Sequence, residues 1–418
     1  MKTSIDKFKW SLCFACLLSA FSHIGAQDGT GYFTLSGTVK NANNKKAIEY
    51  AHLKAVGTSI STVTNEDGQF ILKISADANV DEIEISCLGY YNSRIPFQHK
   101  DRTNIVVNLT PQPYPLKEIV VAGWEKPLHL IEAAIDRIDA NYSQKPNALT
   151  AFYRETVQKK RKYINISEAV IDIYKTSYKQ DVVGDRVQIL KGRNLASPNP
   201  KDTLAVKLLG GPNLSIFLDI VKNPDILLSK EYLYLYDYRM GQNIYLDDRL
   251  QYSVNFKPQY ISDIPLYEGV IYIDAENLSF SRIEFSMDMS DKEQVTRLIL
   301  RHKPYGLRFT PEEVNYVVSY KYLNGKTVLS YLHNELKFKC DWKRKLFATN
   351  YSVVSEMVVT DLETENPEKI SAKKAFSMNK SLSEEAPSYY DSDFWGAWNI
   401  IEPTESLESA VVKLKKER

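Results

Sequence analysis

The sequence predicts a mainly β protein of the α+β class: a small β-sandwich first, then a large curved antiparallel sheet with a few helices. Three observations carry this. Residues 31–123 alternate apolar and polar side chains in short runs separated by turn signals, the pattern of half-buried strands. From Ile244 to Val359, longer strand-like runs follow one another across short connections, which favours antiparallel neighbours. Tyrosine occurs 27 times in 418 residues, and aromatic rings fit a pleated, half-buried surface.

Residues 1–26 have the layout of a secretory signal. Lys2, Lys7 and Lys9 form a basic start, Leu12 to Ile24 an apolar core, and Gly25-Ala26 a small-residue site. The run is too short for a comfortable membrane span, and no later run approaches one. Cys16 within it leaves lipid anchoring as an alternative. The chain carries a net charge of +1; Lys2, Lys7 and Lys9 against Asp6 make the leader +2, so cleavage leaves −1. That balance argues against nucleic acid as a partner. Cys87 and Cys340 lie outside the leader and read as buried thiols, with a bridge between them as the alternative.

In the sandwich, Phe33, Leu35 and Val39 share one strand face, then Ala51, Leu53 and Ala55, then Phe70, Leu72 and Ile74. Ile83 and Ile85 follow, and Ile105, Val107 and Leu109 make the last strand. Turns are marked by Asn41 to Asn44, Asn65-Glu66-Asp67-Gly68, Asp77 to Asn79 and Gly89. Asn65, Glu66 and Asp67 lack the spacing of a calcium loop and read as a solvated turn, with Gly68 supplying a positive φ.

Ser36-Gly37-Thr38-Val39, Ala47-Ile48-Glu49-Tyr50-Ala51, Thr64-Asn65-Glu66-Asp67-Gly68-Gln69-Phe70 and Ser86-Cys87-Leu88-Gly89-Tyr90 together resemble the carboxypeptidase regulatory-like domain. The resemblance implies a transthyretin-like sandwich of the kind found at the N-termini of Bacteroidetes outer-membrane proteins. It also implies an exported chain, in the periplasm or at the periplasmic face of the outer membrane. Leu116 to Gly123 is similar to the TonB-box stretch that follows this domain in nutrient receptors. Leu116, Ile119, Val120 and Val121 are therefore candidate partner-binding residues, able to add a strand to another protein's sheet edge. No plug-like region or membrane-barrel series follows, so a plain linker strand is the simpler reading.

A second domain is expected over 127–360 and a tail over 361–418. Pro127 to Ala140 reads as an amphipathic helix with Pro127 in its first turn and Leu128, Ile131, Ile135 and Ile138 as its stripe. His129 and Glu132 have the HxxE spacing of zinc carboxypeptidases, with His302 or His333 needed as a third ligand. The helix explains both residues without metal, so no metal, cofactor or catalytic residue is assigned.

Glu231 to Tyr238 reads as a strand with Tyr232, Tyr234, Tyr236 and Tyr238 on one face. Further strands are expected at Ile244–Phe256, Glu268–Asp274, Ser279–Met289, Gln294–His302, Glu312–Tyr322, Thr327–Cys340 and Leu346–Val359, with Asn324-Gly325 as the clearest hairpin turn. Asp202 to Ser229 reads as two short helices broken at Gly210-Gly211-Pro212. Gly269 to Asp274 with Ser281 to Phe285, inside this succession, resembles half-barrels of the LolA and LolB carrier type. That resemblance implies an apolar groove, for which Leu214, Phe217, Leu218 and Val221 form a cap and the four tyrosines a wall; the simpler reading is that this segment completes the core with no ligand. In the tail, Phe394, Trp395 and Trp398 are expected to dock on the body, with a last short helix from Glu405.

The sequence shows no phosphate-cradling glycine loop, no GxSxG elbow and no paired-cysteine metal site. The favoured function is a non-enzymatic interaction or scaffold module whose partner is an outer-membrane or periplasmic protein. The alternative is a periplasmic carrier for an amphiphilic ligand.

Overall fold

The computed structural model describes residues 31–113 and 126–416, apart from 203, 205, 209, 344–346 and 392–394. The N-terminal sandwich has seven strands: β1 Tyr32–Asn41, β2 His52–Ala55, β3 Ser61–Val63, β4 Gln69–Ser75, β5 Glu82–Ser86, β6 Ser93–Pro96 and β7 Arg102–Leu109. They form two sheets, ordered β4-β1-β7 and β3-β2-β5-β6. Leu35, Leu53, Phe70, Leu72, Ile85 and Leu109 are among the side chains that fill the space between them. Gly37 lies where β1 meets the parallel strand β7, and a Cβ there would sit 2.0 Å from the Ile105 carbonyl oxygen. The Asn65 to Gly68 turn forms as the residues require. The Asn65 side chain accepts from the N–H groups of Asp67 and Gln69, and Gly68 takes φ +70°.

The rest of the chain builds one antiparallel sheet. Its strands are β8 Asn147–Lys159, β9 Lys162–Lys175, β10 Arg186–Ala196, then, after a short β11 Lys207–Leu208, β12 Tyr236–Met240 and β13 Ile244–Leu246. There follow β14 Arg249–Pro258, β15 Tyr267–Asp274, β16 Phe280–Met287, a short β17 Leu300–His302, β18 Leu307–Leu323, β19 Lys326–Trp342 and β20 Thr349–Glu363. The order is β10-β9-β8-β20-β19-β18-β16-β15-β14-β12, with β13 beside β14, and β11 pairs separately with β17. Helices are α1 Pro127–Asp136, α2 Ile138–Asn141, α3 Leu214–Phe217, α4 Lys292–Ile299, α5 Leu382–Glu385 and α6 Glu405–Lys416. Among the described residues no helix is long and apolar enough to cross a membrane.

Several expectations change here. Gln294–His302 is α4 followed by the three-residue β17, because Asp291 caps the backbone N–H groups of Glu293 and Gln294 at 2.9 Å. Glu231–Tyr238 is not one strand: Leu233–Leu235 form a 3₁₀ turn and β12 starts only at Tyr236. Among the described residues, Asp202–Ser229 holds one α-helical turn, α3, and a 3₁₀ turn at Pro224–Ile226, just after the 3₁₀ turn Pro200–Asp202.

The large sheet is covered on both faces. On the inner face, α1, α3, α4 and the 204–235 segment pack into one core with Tyr153, Ile171, Phe280, Leu332, Phe338 and Met357. On the outer face, Val63 of the sandwich and Ile400 and Ile401 of the tail pack on Phe152, Tyr331 and Val358. Ser61 Oγ donates to the Val359 carbonyl at 3.0 Å and Thr62 Oγ1 to that of Ile400 at 2.9 Å. Trp395 sets its ring edge-on to Phe152, 5.3 Å between centroids, and Phe394 lies outside the described residues. Helix α6 buries Leu407, Val411 and Leu414 against Ile166 and Leu195.

Beneath the tail lies a buried charge group. Arg154 binds Glu168 at 2.8 Å and donates to the Ile401 carbonyl at 2.7 Å, and Arg193 binds the other oxygen of Glu168. Against the effect of burial, the two guanidinium groups hold the Glu168 carboxyl below its usual range. Removing one partner strands a buried charge. Arg154→Met is expected to destabilise the protein by roughly 3–5 kcal/mol in denaturant titrations. The double variant with Glu168→Gln is expected to recover part of that loss.

Candidate functional site

The eight residues expected to frame an apolar groove do not do so. Leu214, Leu218 and Val221 are buried in the inner core, and Phe217 is half-buried. Tyr236 is buried and Tyr238 half-buried, their rings 6.1 Å apart, whereas Tyr232 and Tyr234 face solvent, Tyr234 at 62% exposure. The alternation that suggested a tyrosine face is interrupted by the 3₁₀ turn. Leu116, Ile119, Val120 and Val121 lie outside the described residues.

A groove does open on the inner face, one segment away. The register places Asn334, Ser355, Glu155, Ser167 and Asn194 side by side on β19, β20, β8, β9 and β10. These five form a polar belt across an otherwise apolar face. On one side runs the row Leu332, Met357, Tyr153 and Ala169, sealed in the core. On the other runs Leu336, Val353 and Val157, joined by Ile164 where β8 and β9 shift register. Leu204, Val206, Leu208 and the Gly210-Gly211 pair cover this second row from one side, and Met378 to Ser381 from another. The space left is about 400 Å³, within the range of small-molecule sites.

Glu155 is the charged group deepest in the belt. It accepts from the Gly211 N–H at 3.2 Å and the Tyr153 hydroxyl at 3.4 Å. Burial pushes its carboxyl above the usual range, and those two donors pull it partly back. The Oδ1 of Asn334 is buried with no hydrogen-bond partner. Sequence reading missed this site because Glu155, Ser355 and Asn334 are remote in the chain. The available signal was a polar residue on the apolar face of each strand.

A second, smaller cavity of about 70 Å³ lies between the sandwich and the outer face, with His52, Cys87, Arg282, Lys321 and Tyr331 in its wall. Lys321 Nζ stands 2.9 Å from His52 Nδ1. Burial pushes Lys321 down to about 7, with Asp247 and Glu84 drawing it up and Lys54 down. Burial, then Lys321, holds His52 well below its usual value. Cys87 and Cys340 are both free thiols, each pushed up to about 11 by burial.

His129 is exposed and Glu132 half-buried on α1, whose packed residues include Leu130, Ile131 and Ala134. His333 sits on the outer face 3.8 Å from Glu356, and His302 is exposed on β17. Among the described residues no group of three or more His, Cys, Asp or Glu gathers at metal-binding spacing.

With this geometry in place, comparison with known proteins is informative for one region. Residues 35–121 match the model of the CarboxypepD_reg-like domain. The match carries the resemblance seen in the Ser36, Ala47, Thr64 and Ser86 motifs, and it ends before the large sheet begins. A domain of this type is non-catalytic, which fits a binding or scaffold role and leaves the rest of the chain's chemistry open. No curated protein matches. Among solved structures, a DUF1329 family protein from Desulfovibrio piger aligns at 12% identity over 57% of this chain and 92% of its own, with a TM-score of 0.23. A 9R-lipoxygenase from Cyanothece aligns at 12% identity over 63% of this chain but only 40% of its own, with a TM-score of 0.16. At those scores neither likeness carries an argument about fold or function.

Lys321 gives a pH prediction. Its ordinary value is 10.5 and its folded value about 7, so between them the unfolded chain binds more protons and stability rises with pH. Lys321→Met is expected to raise the thermal midpoint at neutral pH and to flatten the rise in stability between pH 7 and 10. Melting curves of both proteins across that window check it.

Proposed function

We propose that the chain is an exported, non-enzymatic binding module that holds one amphiphilic ligand in the inner-face groove. The observation that carries this is the pairing of a polar belt with an apolar row in one covered cavity of about 400 Å³. A core-completing segment would exclude such a space, since protein interiors are close-packed. The ligand's polar end meets Glu155, Ser355 and Asn334, and its apolar part lies along Val157, Leu336 and Val353.

In this reading the sandwich serves the body first. Its β2-β3 side is spent on the outer face of the chain's own sheet through Tyr50, Ser61, Thr62 and Val63. A second role, as an interaction module for an outer-membrane or periplasmic protein, keeps support from β7. That strand is at a sheet edge, with Val106 at 56% exposure. Localisation at the periplasm or the periplasmic face of the outer membrane belongs to the same proposal.

Native purification followed by mass spectrometry of an organic extract is expected to recover a stoichiometric amphiphile. Leu204→Arg places a guanidinium under the cover and is expected to weaken uptake of a neutral fluorescent probe, N-phenylnaphthylamine, by about tenfold or more. Its thermal midpoint should stay close to that of the parent. Repeated absence of both co-purified amphiphile and probe uptake would sink the carrier reading.

A further inference from the structure

We propose that the groove selects an amphiphile whose head group donates hydrogen bonds, an alkylammonium or a hydroxyl, over one ending in a carboxylate. This rests on the carrier reading and names the chemistry of its polar end.

Where the cavity reaches the belt, its one charged group is the acceptor Glu155. Glu155 receives only the Gly211 N–H and the Tyr153 hydroxyl, both at Oε2, and among the described residues no cation pairs with it. A donor head group placed here satisfies Glu155, which takes only two neutral donors from the protein. A carboxylate would instead bring a second negative charge beside Glu155.

The cations nearby are committed or outside. Lys207 pairs with Glu384 at 3.1 Å, Lys380 with Glu385 at 2.6 Å, and Lys159 and Lys162 share Asp202. Arg301 lines the mouth but is exposed, where its charge stays hydrated. The apolar row begins one side chain along each strand from the belt, about 7 Å away. The first methylenes of a straight-chain ligand then meet Val157, Val353 and Leu336.

The test uses the full chain at about pH 8, where an alkylamine is cationic and a fatty acid anionic. Dodecylamine, dodecanol and dodecanoate, each kept monomeric, compete for bound N-phenylnaphthylamine. Amine and alcohol are expected to displace the probe at about tenfold lower concentration than the acid. Glu155→Gln should cut the lead of the amine over the acid by about tenfold and leave the alcohol little changed. Dodecanoate binding as well as the amine, particularly if Arg301→Ala then abolishes it, would overturn the head-group assignment while the carrier reading stands. Failure of all three compounds to displace a bound probe would also overturn it. Failure of the probe to bind at all would remove both readings.

Discussion

The structure depends on one long-range pairing, β8 with β20. Residues 148–159 and 351–363 meet in antiparallel register about two hundred residues apart in the chain. This pairing joins the β8-β9-β10 strands to the meander of β14 to β20 and turns two smaller sheets into one. Its register sets the chemistry of both faces at once, because a strand alternates its side chains. Glu155 falls beside Ser355 on the inner face, and Arg154 beside Glu356 on the outer. A slip by one residue would move the polar belt outward and bury the outer-face charges in the apolar core.

The outer face shows how those charges are accommodated. His333, Glu356, Arg154, Glu168 and Arg193 follow one another across β19, β20, β8, β9 and β10. The next row is apolar, Tyr331, Val358, Phe152 and Val170, and takes the sandwich and the tail. Tail residues bridge the gap: Arg154 donates to the Ile401 carbonyl, and Asn399 exchanges two hydrogen bonds with the backbone of Lys73 at 2.6 and 2.9 Å. Asn65 Nδ2 donates to the Glu402 carbonyl at 3.1 Å, so a turn residue of the sandwich also anchors the tail. Trp395 packs against Phe152, so the largest occupant of this surface is the chain itself.

What the residues disclosed and what they hid have separable causes. The sandwich was legible because each strand buries one face, so Leu35, Leu53, Phe70 and Leu72 carry a clean period of two. Asn324-Gly325 was legible because only a few residues accept positive φ at both turn positions, and both do so here, at 49° and 82°. Gln294–His302 misled because Val295, Ile299 and Leu300 suit a strand as well as a helix, and Asp291 decides between them from outside the apolar pattern. The Leu214 to Val221 cluster was apolar enough to suggest a lipid cap, yet apolarity does not distinguish a core residue from a groove residue. That distinction lies in whether space remains, and space depends on strands brought together from 155, 334 and 355.

The two-sided covering also decides which part of the groove can move. Strands β8, β9, β19 and β20 are pinned between the inner core and the sandwich-tail layer, so opening the site from the sheet side would disturb both packed layers. The cover is held far less. Strand β11 pairs with β17 over only two residues, with an irregular register. The Lys207–Glu384 pair that ties it to α5 is exposed on both partners, and such pairs contribute little. The firmer attachments lie behind it, where Asn213 donates to the Phe376 carbonyl at 3.3 Å and Phe376 N–H to the Val187 carbonyl at 2.7 Å. The belt and wall are therefore preorganised, and Gly211 is fixed beside them by its hydrogen bond to Glu155.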